Sequence, residues 1–151
     1  MKRSWVNKVY CLGLILGLAL GDAGISRAED WQFVGEKAGR GKIYVDKDSI
    51  SPQPAGTTRY RAKIYVEGER KASLAKAIAI QTGDPGKGQA LDHVICEIEV
   101  DCAKNQDRLL SMRFLNKRGK ELAVNQEPGQ FVDIGPDDLS QAIKALVCGP
   151  K

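Results

Sequence analysis

The chain has 151 residues, 42% of them hydrophobic and 28% charged, with 23 Lys and Arg against 19 Asp and Glu for a net charge of +4. That size buries one core rather than two, and the sequence has no low-complexity tract, heptad or internal repeat. Residues 1–28 hold four of the basic residues and one acidic residue, leaving 19 against 18 beyond them, a net +1. This removes most of the electrostatic case for nucleic acid, which needs a basic face or stripe.

The first 28 residues have the layout of a cleaved secretory signal peptide. Lys2, Arg3 and Lys8 precede an apolar run from Val9 to Leu20, and Ser26 and Ala28 supply the small residues of a cleavage site. The run is shorter than the roughly 20 residues of a membrane-spanning helix, so no stable membrane span is expected. Cys11 lies at the start of the run rather than after it, and no lipid-attachment cysteine is evident. The expected organisation is therefore a signal peptide over 1–28 and a single domain over 29–151, exported to the periplasm, the medium or the cell surface.

Within that domain, "DWQFV" (30–34) and "KIYVD" (42–46) read as short strands about a Gly-containing turn, and "DSISPQPAGTT" (48–58) reads as a loop. "TRYRAKIYVEG" (58–68) alternates as a half-buried strand. Tyr60, Ala62, Ile64 and Val66 share one face; Arg59, Arg61, Lys63 and Tyr65 share the other. The three cations are the candidate binding residues, although such a stripe is more often solvated or paired across a sheet. Residues 69–81 fit a helix by their Ala and Lys and a strand by "AIAI". "TGDPGKGQA" (82–90) reads as a flexible loop and a further candidate contact. Its Gly86-Lys87 pair lacks both the Gly five residues earlier and the following Ser or Thr of a phosphate-binding loop.

"HVICEIEVDC" (93–102) is the clearest strand, with Val94, Cys96, Ile98, Val100 and Cys102 facing inward. Glu97, Glu99 and Asp101 face outward and would complement the basic stripe if the two strands pair. "RLLSMRFLN" (108–116) follows, with Leu110, Met112 and Phe114 on one face. "KELAVNQ" (120–126) turns back as a hairpin, and "GQFVDIG" (129–135) is a last short strand. A helix closes the chain. Pro136 stands at its expected first position, Asp137 and Asp138 lie in its first turn, and Leu139, Ile143, Leu146 and Val147 form its apolar stripe. Gly149 and Pro150 stop it beyond Cys148.

Cys96 and Cys102 lie six residues apart on one strand, roughly 20 Å, whereas a disulfide needs Cα atoms within about 7 Å. Cys148 must therefore choose one of them, and the strand end at Cys102 is the simpler partner. Cys96 is then a buried free thiol, with intermolecular pairing as the alternative. The lone histidine, His93, falls on the opposite strand face from Cys96, which disfavours a catalytic or metal-binding pair. The sequence carries no C-x-x-C, no haem-attachment motif and no nucleophile elbow. No catalytic residue, metal or cofactor is assigned.

Trp31, "IYVDKDSI" (43–50), "VDC" (100–102), "KRGKEL" (117–122) and "FVDIGPDDLSQAIKALVC" (131–148), in that order, resemble the surface-adhesin protein E family of exported bacterial proteins. The resemblance spans most of 30–148. It implies an α+β fold, a curved antiparallel sheet of about six strands with the C-terminal helix packed on it, and the pairing of Cys102 with Cys148. It further implies a non-enzymatic binding module with a host or envelope protein as partner, and a homodimer. The chain departs from the family pattern in lacking the lipid-attachment cysteine, in having Cys96, in having Phe131 where an aromatic, often Trp, is usual, and over 67–92. The alternative function is a periplasmic structural or accessory protein that acts as a dimer or through a sheet edge.

Overall fold

The computed structural model describes residues 29–39 and 41–149; the expected signal peptide lies outside the described residues. Strands β1 (Trp31–Lys37), β2 (Gly41–Pro52) and β3 (Thr58–Tyr65) come first, then helices α1 (Gly68–Thr82) and α2 (Pro85–Gln89). Strands β4 (His93–Asp101), β5 (Gln106–Leu115), β6 (Glu121–Asn125) and β7 (Val132–Asp133) precede helix α3 (Asp138–Cys148). The sheet follows chain order, β1-β2-β3-β4-β5-β6, every neighbour antiparallel, with β7 on the same edge of β5 as β6. Four of the pairings carry register shifts, which bend and twist the strands and curl the sheet.

The alternation along β3 and β4 decides which face is inside. Tyr60, Ala62, Val66, Val94, Cys96 and Val100 are all buried. They divide into two clusters that meet at Ile98. One, with Ile78 and Leu91, lies under α1 and α2; the other, with Val147 and the flanking Ile143 and Leu146, lies under α3.

The structure resolves the ambiguity of 69–81 as helix. Ile78 is buried while Ile80 is 74% exposed, a split that a strand, which aims both side chains to one face, would not produce. Gly83, in the left-handed conformation at φ 68°, ends α1. Part of the expected loop 82–90 is the short helix α2, whose Gly88 approaches α1 so closely that a Cβ there would stand 2.2 Å from the carbonyl oxygen of Ala75.

Three other expectations are corrected. The expected loop 48–58 is strand as far as Pro52. A bulge after Asp46 lets Ser51 and Pro52 pair with Arg59 and Thr58, and the Ser49 hydroxyl accepts from the Arg61 amide at 2.8 Å. The inward stripe of β5 runs through Leu109, not Leu110, because a bulge opposite Glu97 and Ile98 shifts the parity there. Pro136 precedes the helix rather than beginning it: Asp137 is the cap, its carboxylate accepting from the Ser140 amide at 3.3 Å.

A disulfide joins Cys102, at the end of β4, to Cys148, on the last turn of α3, with Cα atoms 5.9 Å apart. Cys96 is a buried free thiol, its pKa pushed up to about 11 by burial. Closing a loop of 46 residues stabilises the fold by about 4 kcal/mol in the chain-entropy model. Replacing Cys102 with Ser is therefore expected to lower the melting temperature by on the order of 10 °C, followed by circular dichroism. Cys96→Ala should cost clearly less; equal losses would mean that the disulfide is not what holds α3.

Candidate functional site

The inner face of the sheet is covered by helices, so the outer face of β1–β5 is the extended surface available for contact. Four rings from four neighbouring strands form a row across it. Phe33 and Tyr44 lie 5.3 Å apart between centroids, Tyr44 and Tyr65 5.8 Å, and Tyr65 and His93 5.3 Å. Phe33 is 52% and Tyr65 37% exposed. The antiparallel register makes the row by setting Phe33 opposite Tyr44 and Tyr65 opposite His93. His93 also holds its Nδ1 3.0 Å from an Asp92 carboxylate oxygen, so its contacts are structural on both sides.

Beside the aromatic row lie two buried carboxylates. Asp46 is fully buried on β2, beneath the Arg61 guanidinium that donates to it. The other arm of Arg61 reaches Glu29 at 3.4 Å. Glu99 is buried on β4. It accepts from the Thr57 hydroxyl at 2.7 Å and from Arg108 Nε at 2.8 Å, with Arg59 Nε 3.7 Å away. The hydrogen bond from Thr57, against the opposing effect of burial, and then those from Arg108 hold the Glu99 carboxyl below its ordinary pKa. Arg108 in turn stacks on Phe131, 4.6 Å from the ring centroid.

The three cations expected from the β3 alternation do share this outer face, but each is engaged. Arg59 lies beside Glu99 and Arg61 grips Asp46. Lys63 lies over the Trp31 ring at 4.1 Å, its pKa lowered by partial burial while Glu29 and Asp46 pull the other way. The expected complementarity with β4 holds for Arg59 and Glu99, which are register partners. Arg61, the register partner of Glu97, turns to Asp46 instead, and Glu97 is left exposed, 3.5 Å from the Ser111 hydroxyl. Arg59 and Arg61 line an open groove of about 360 Å³ with Ser49, Ser51, Gln53 and Glu97, a surface of mixed charge rather than a polyanion track. The 82–90 segment is held on α1, away from the three cations.

The aromatic row is the feature that sequence reasoning missed. The alternation puts Tyr65 outward, but only the registers of β2 on β3 and of β1 on β2 bring Tyr44, and then Phe33, beside it. Among the described residues, no three His, Cys, Asp or Glu side chains converge as a metal site requires. No helix there is long and apolar enough to cross a membrane.

The family model described as surface-adhesin protein E matches residues 31–149. Crystal form II of Haemophilus influenzae protein E is similar at 13% identity, over 80% of this chain and 95% of that one, with a TM-score of 0.48. The selenomethionine form of that protein is similar at 14% identity, over 80% and 92% of the two chains, also with a TM-score of 0.48. No curated protein matches.

Two substitutions probe the buried carboxylates. Asp46→Ala removes the acceptor of Arg61 and of the Asp48 amide, and should destabilise the fold by about 1–3 kcal/mol in urea unfolding. The Glu99 contribution is fully present above the unfolded carboxylate pKa, about 4.3, and is lost as pH falls through the lower folded value. Melting temperature measured against pH should thus fall more steeply below pH ~4 for the parent than for Glu99→Gln. Parallel curves would show that Glu99 carries none of the acid sensitivity.

Proposed function

The chain belongs to the surface-adhesin protein E family, and on that premise we propose that it is an exported, non-enzymatic binding module of the bacterial cell envelope. The observation that carries this reading is the outer sheet face. A row of aromatic side chains lies beside Arg59, Arg61 and Lys63 on the sheet face opposite the one the described helices pack against. Exposed Tyr and Phe supply contact area at little entropic cost, and arginines already held by carboxylates are oriented before a partner arrives. Such a surface suits a protein partner with mixed charge. The signal-peptide layout of residues 1–28 supports export.

Phe33 favours a second reading. It lies on the edge strand β1 and is half exposed, so the same aromatic end could pair with another copy of the chain or with an envelope assembly.

The test places a photo-crosslinking amino acid at position 65 or, as the control, at the exposed position 80 on α1, in cells that make the protein. A discrete adduct from position 65 that is absent from position 80, and that weakens several-fold in the Arg59→Ala, Lys63→Ala double variant, is the expected result. An adduct of twice the protein's own mass would carry the second reading. No adduct, or the same adducts from both positions, would overturn binding through this face. Protease treatment of intact cells then separates host from envelope partners: cleavage places the module outside the cell, and protection restricts it to the envelope interior.

A further inference from the structure

Lys37, Lys47, Arg59, Arg61, Lys104, Arg108 and Arg113 each have a carboxylate within ion-pair distance. Among the described cations that have none, such as Lys42, Lys76 and Lys120, three are gathered in one cleft. Lys71, Lys117 and Arg118 line a cleft of about 400 Å³ together with Gln89, Leu91 and Asn116, and no carboxylate lines it. None of the three cations has an ion-pair partner among the described residues. In a domain whose net charge is close to zero, three unpaired positive charges converge on one concavity.

The cleft is held from two sides. Lys71 is half-buried on the first turn of α1, a helix of 15 residues whose cap, Glu67, makes no side-chain cap. The positive end of the helix adds to the field of the lysine against the opposing charges of Glu67 and Glu69, neither of which lines the cleft. Lys117 and Arg118 ride on the turn between β5 and β6, which is fixed by its own hydrogen bonds. The Asn116 amide donates to the Lys120 carbonyl at 3.0 Å, and the Gly119 amide donates to the Asn116 carbonyl at 2.9 Å. Asn116 Oδ1 accepts from the Arg118 and Lys120 amides, at 2.9 and 3.0 Å. That assigns its Nδ2 as the free donor of the side chain. Leu91, buried, forms the floor.

We propose that this cleft binds a phosphate monoester carried on a polyhydroxyl body, a phosphosugar. Two lysines and an arginine match a dianionic phosphoryl group, Arg118 by a forked contact and the lysines as point charges, whereas a single carboxylate would leave most of the charge unmatched. The Gln89 and Asn116 amides offer donors and an acceptor for hydroxyl groups, and the volume lies in the range of small-molecule sites. The same chemistry occurs on a soluble phosphosugar and on a phosphorylated lipid headgroup. None of these residues belongs to the outer sheet face, so the site stands or falls independently of the adhesin-like reading.

The test is an amide-shift NMR titration of the purified protein with glucose 1-phosphate, glucose and matched sodium chloride. Glucose 1-phosphate should shift residues 71, 89–91 and 116–118, and the two controls should not. The Lys117→Ala, Arg118→Ala double variant, whose changes lie on exposed side chains, should keep its melting temperature and lose affinity about tenfold or more. Lys71→Gln, on the opposite wall, should weaken binding independently. Co-sedimentation with phosphatidylcholine vesicles containing phosphatidylinositol phosphate, lost in the double variant, would assign the phosphate to a lipid headgroup. Soluble binding without co-sedimentation would assign it to a free phosphosugar. Shifts scattered over the surface, shifts equal to those from chloride, or affinity unchanged in the variants would overturn the site.

Discussion

Strand β4 is the constraint on which the rest of the structure depends. It lies between β3 and β5, and its inward side chains Val94, Cys96 and Val100 enter both core clusters, which share Ile98. Its end delivers Cys102 to the disulfide that holds α3, and its outward Glu99 gathers Thr57, Arg59 and Arg108. A single sheet exposes two faces, and a chain of this size cannot leave both bare. The stretch between β3 and β4 therefore returns over one half of the inner face as α1 and α2, and the C-terminal helix covers the other half. Removing apolar area from water drives that covering, and the disulfide restricts the unfolded chain at the end where α3 docks.

The outer face follows a different logic. Its buried carboxylates are paired with cations, while Glu97 is left exposed and the buried Arg59 Nε has no hydrogen-bond partner. Asp46 and Glu99 are buried carboxylates, which are tolerable only because arginines and a threonine satisfy them. The consequence for function is preorganisation: Arg59, Arg61 and Lys63 are held by neighbours instead of moving freely. Their positive field is correspondingly blunted, so the recognition proposed for this side would rest on shape and aromatic area as much as on charge. A separate cluster of cations, without ion-pair partners among the described residues, lines the cleft of Lys71, Lys117 and Arg118. The protein therefore offers two chemically distinct surfaces, one mixed and aromatic, the other cationic and concave.

How much of this was legible follows from the range of each interaction. Period-two alternation exposes the inward sides of β3 and β4 directly, because a strand buried on one face records that burial in its own residues. The terminal helix is equally local: Asp137, the 139–147 stripe and Gly149 all act within a few residues. The bulges were not legible. The shift at Leu110 and the extension of β2 through Pro52 arise where two strands disagree in length, and neither strand encodes that by itself. The helix over 68–82 was ambiguous because only Leu74 and Ile78 mark its buried side.

By itself, then, the sequence determined the one-sided strands, the terminal helix and its apolar stripe, the choice of Cys102 for Cys148 and the resemblance to a family of exported proteins, all properties of short segments or of motif order. Only the tertiary structure decided which side chains become neighbours across strands. The row of Phe33, Tyr44, Tyr65 and His93, the turn of Arg61 from Glu97 to Asp46, and the meeting of Lys71 with Lys117 and Arg118 each need a register or a docking angle. These are set by the whole sheet closing on its core, and no local pattern carries them.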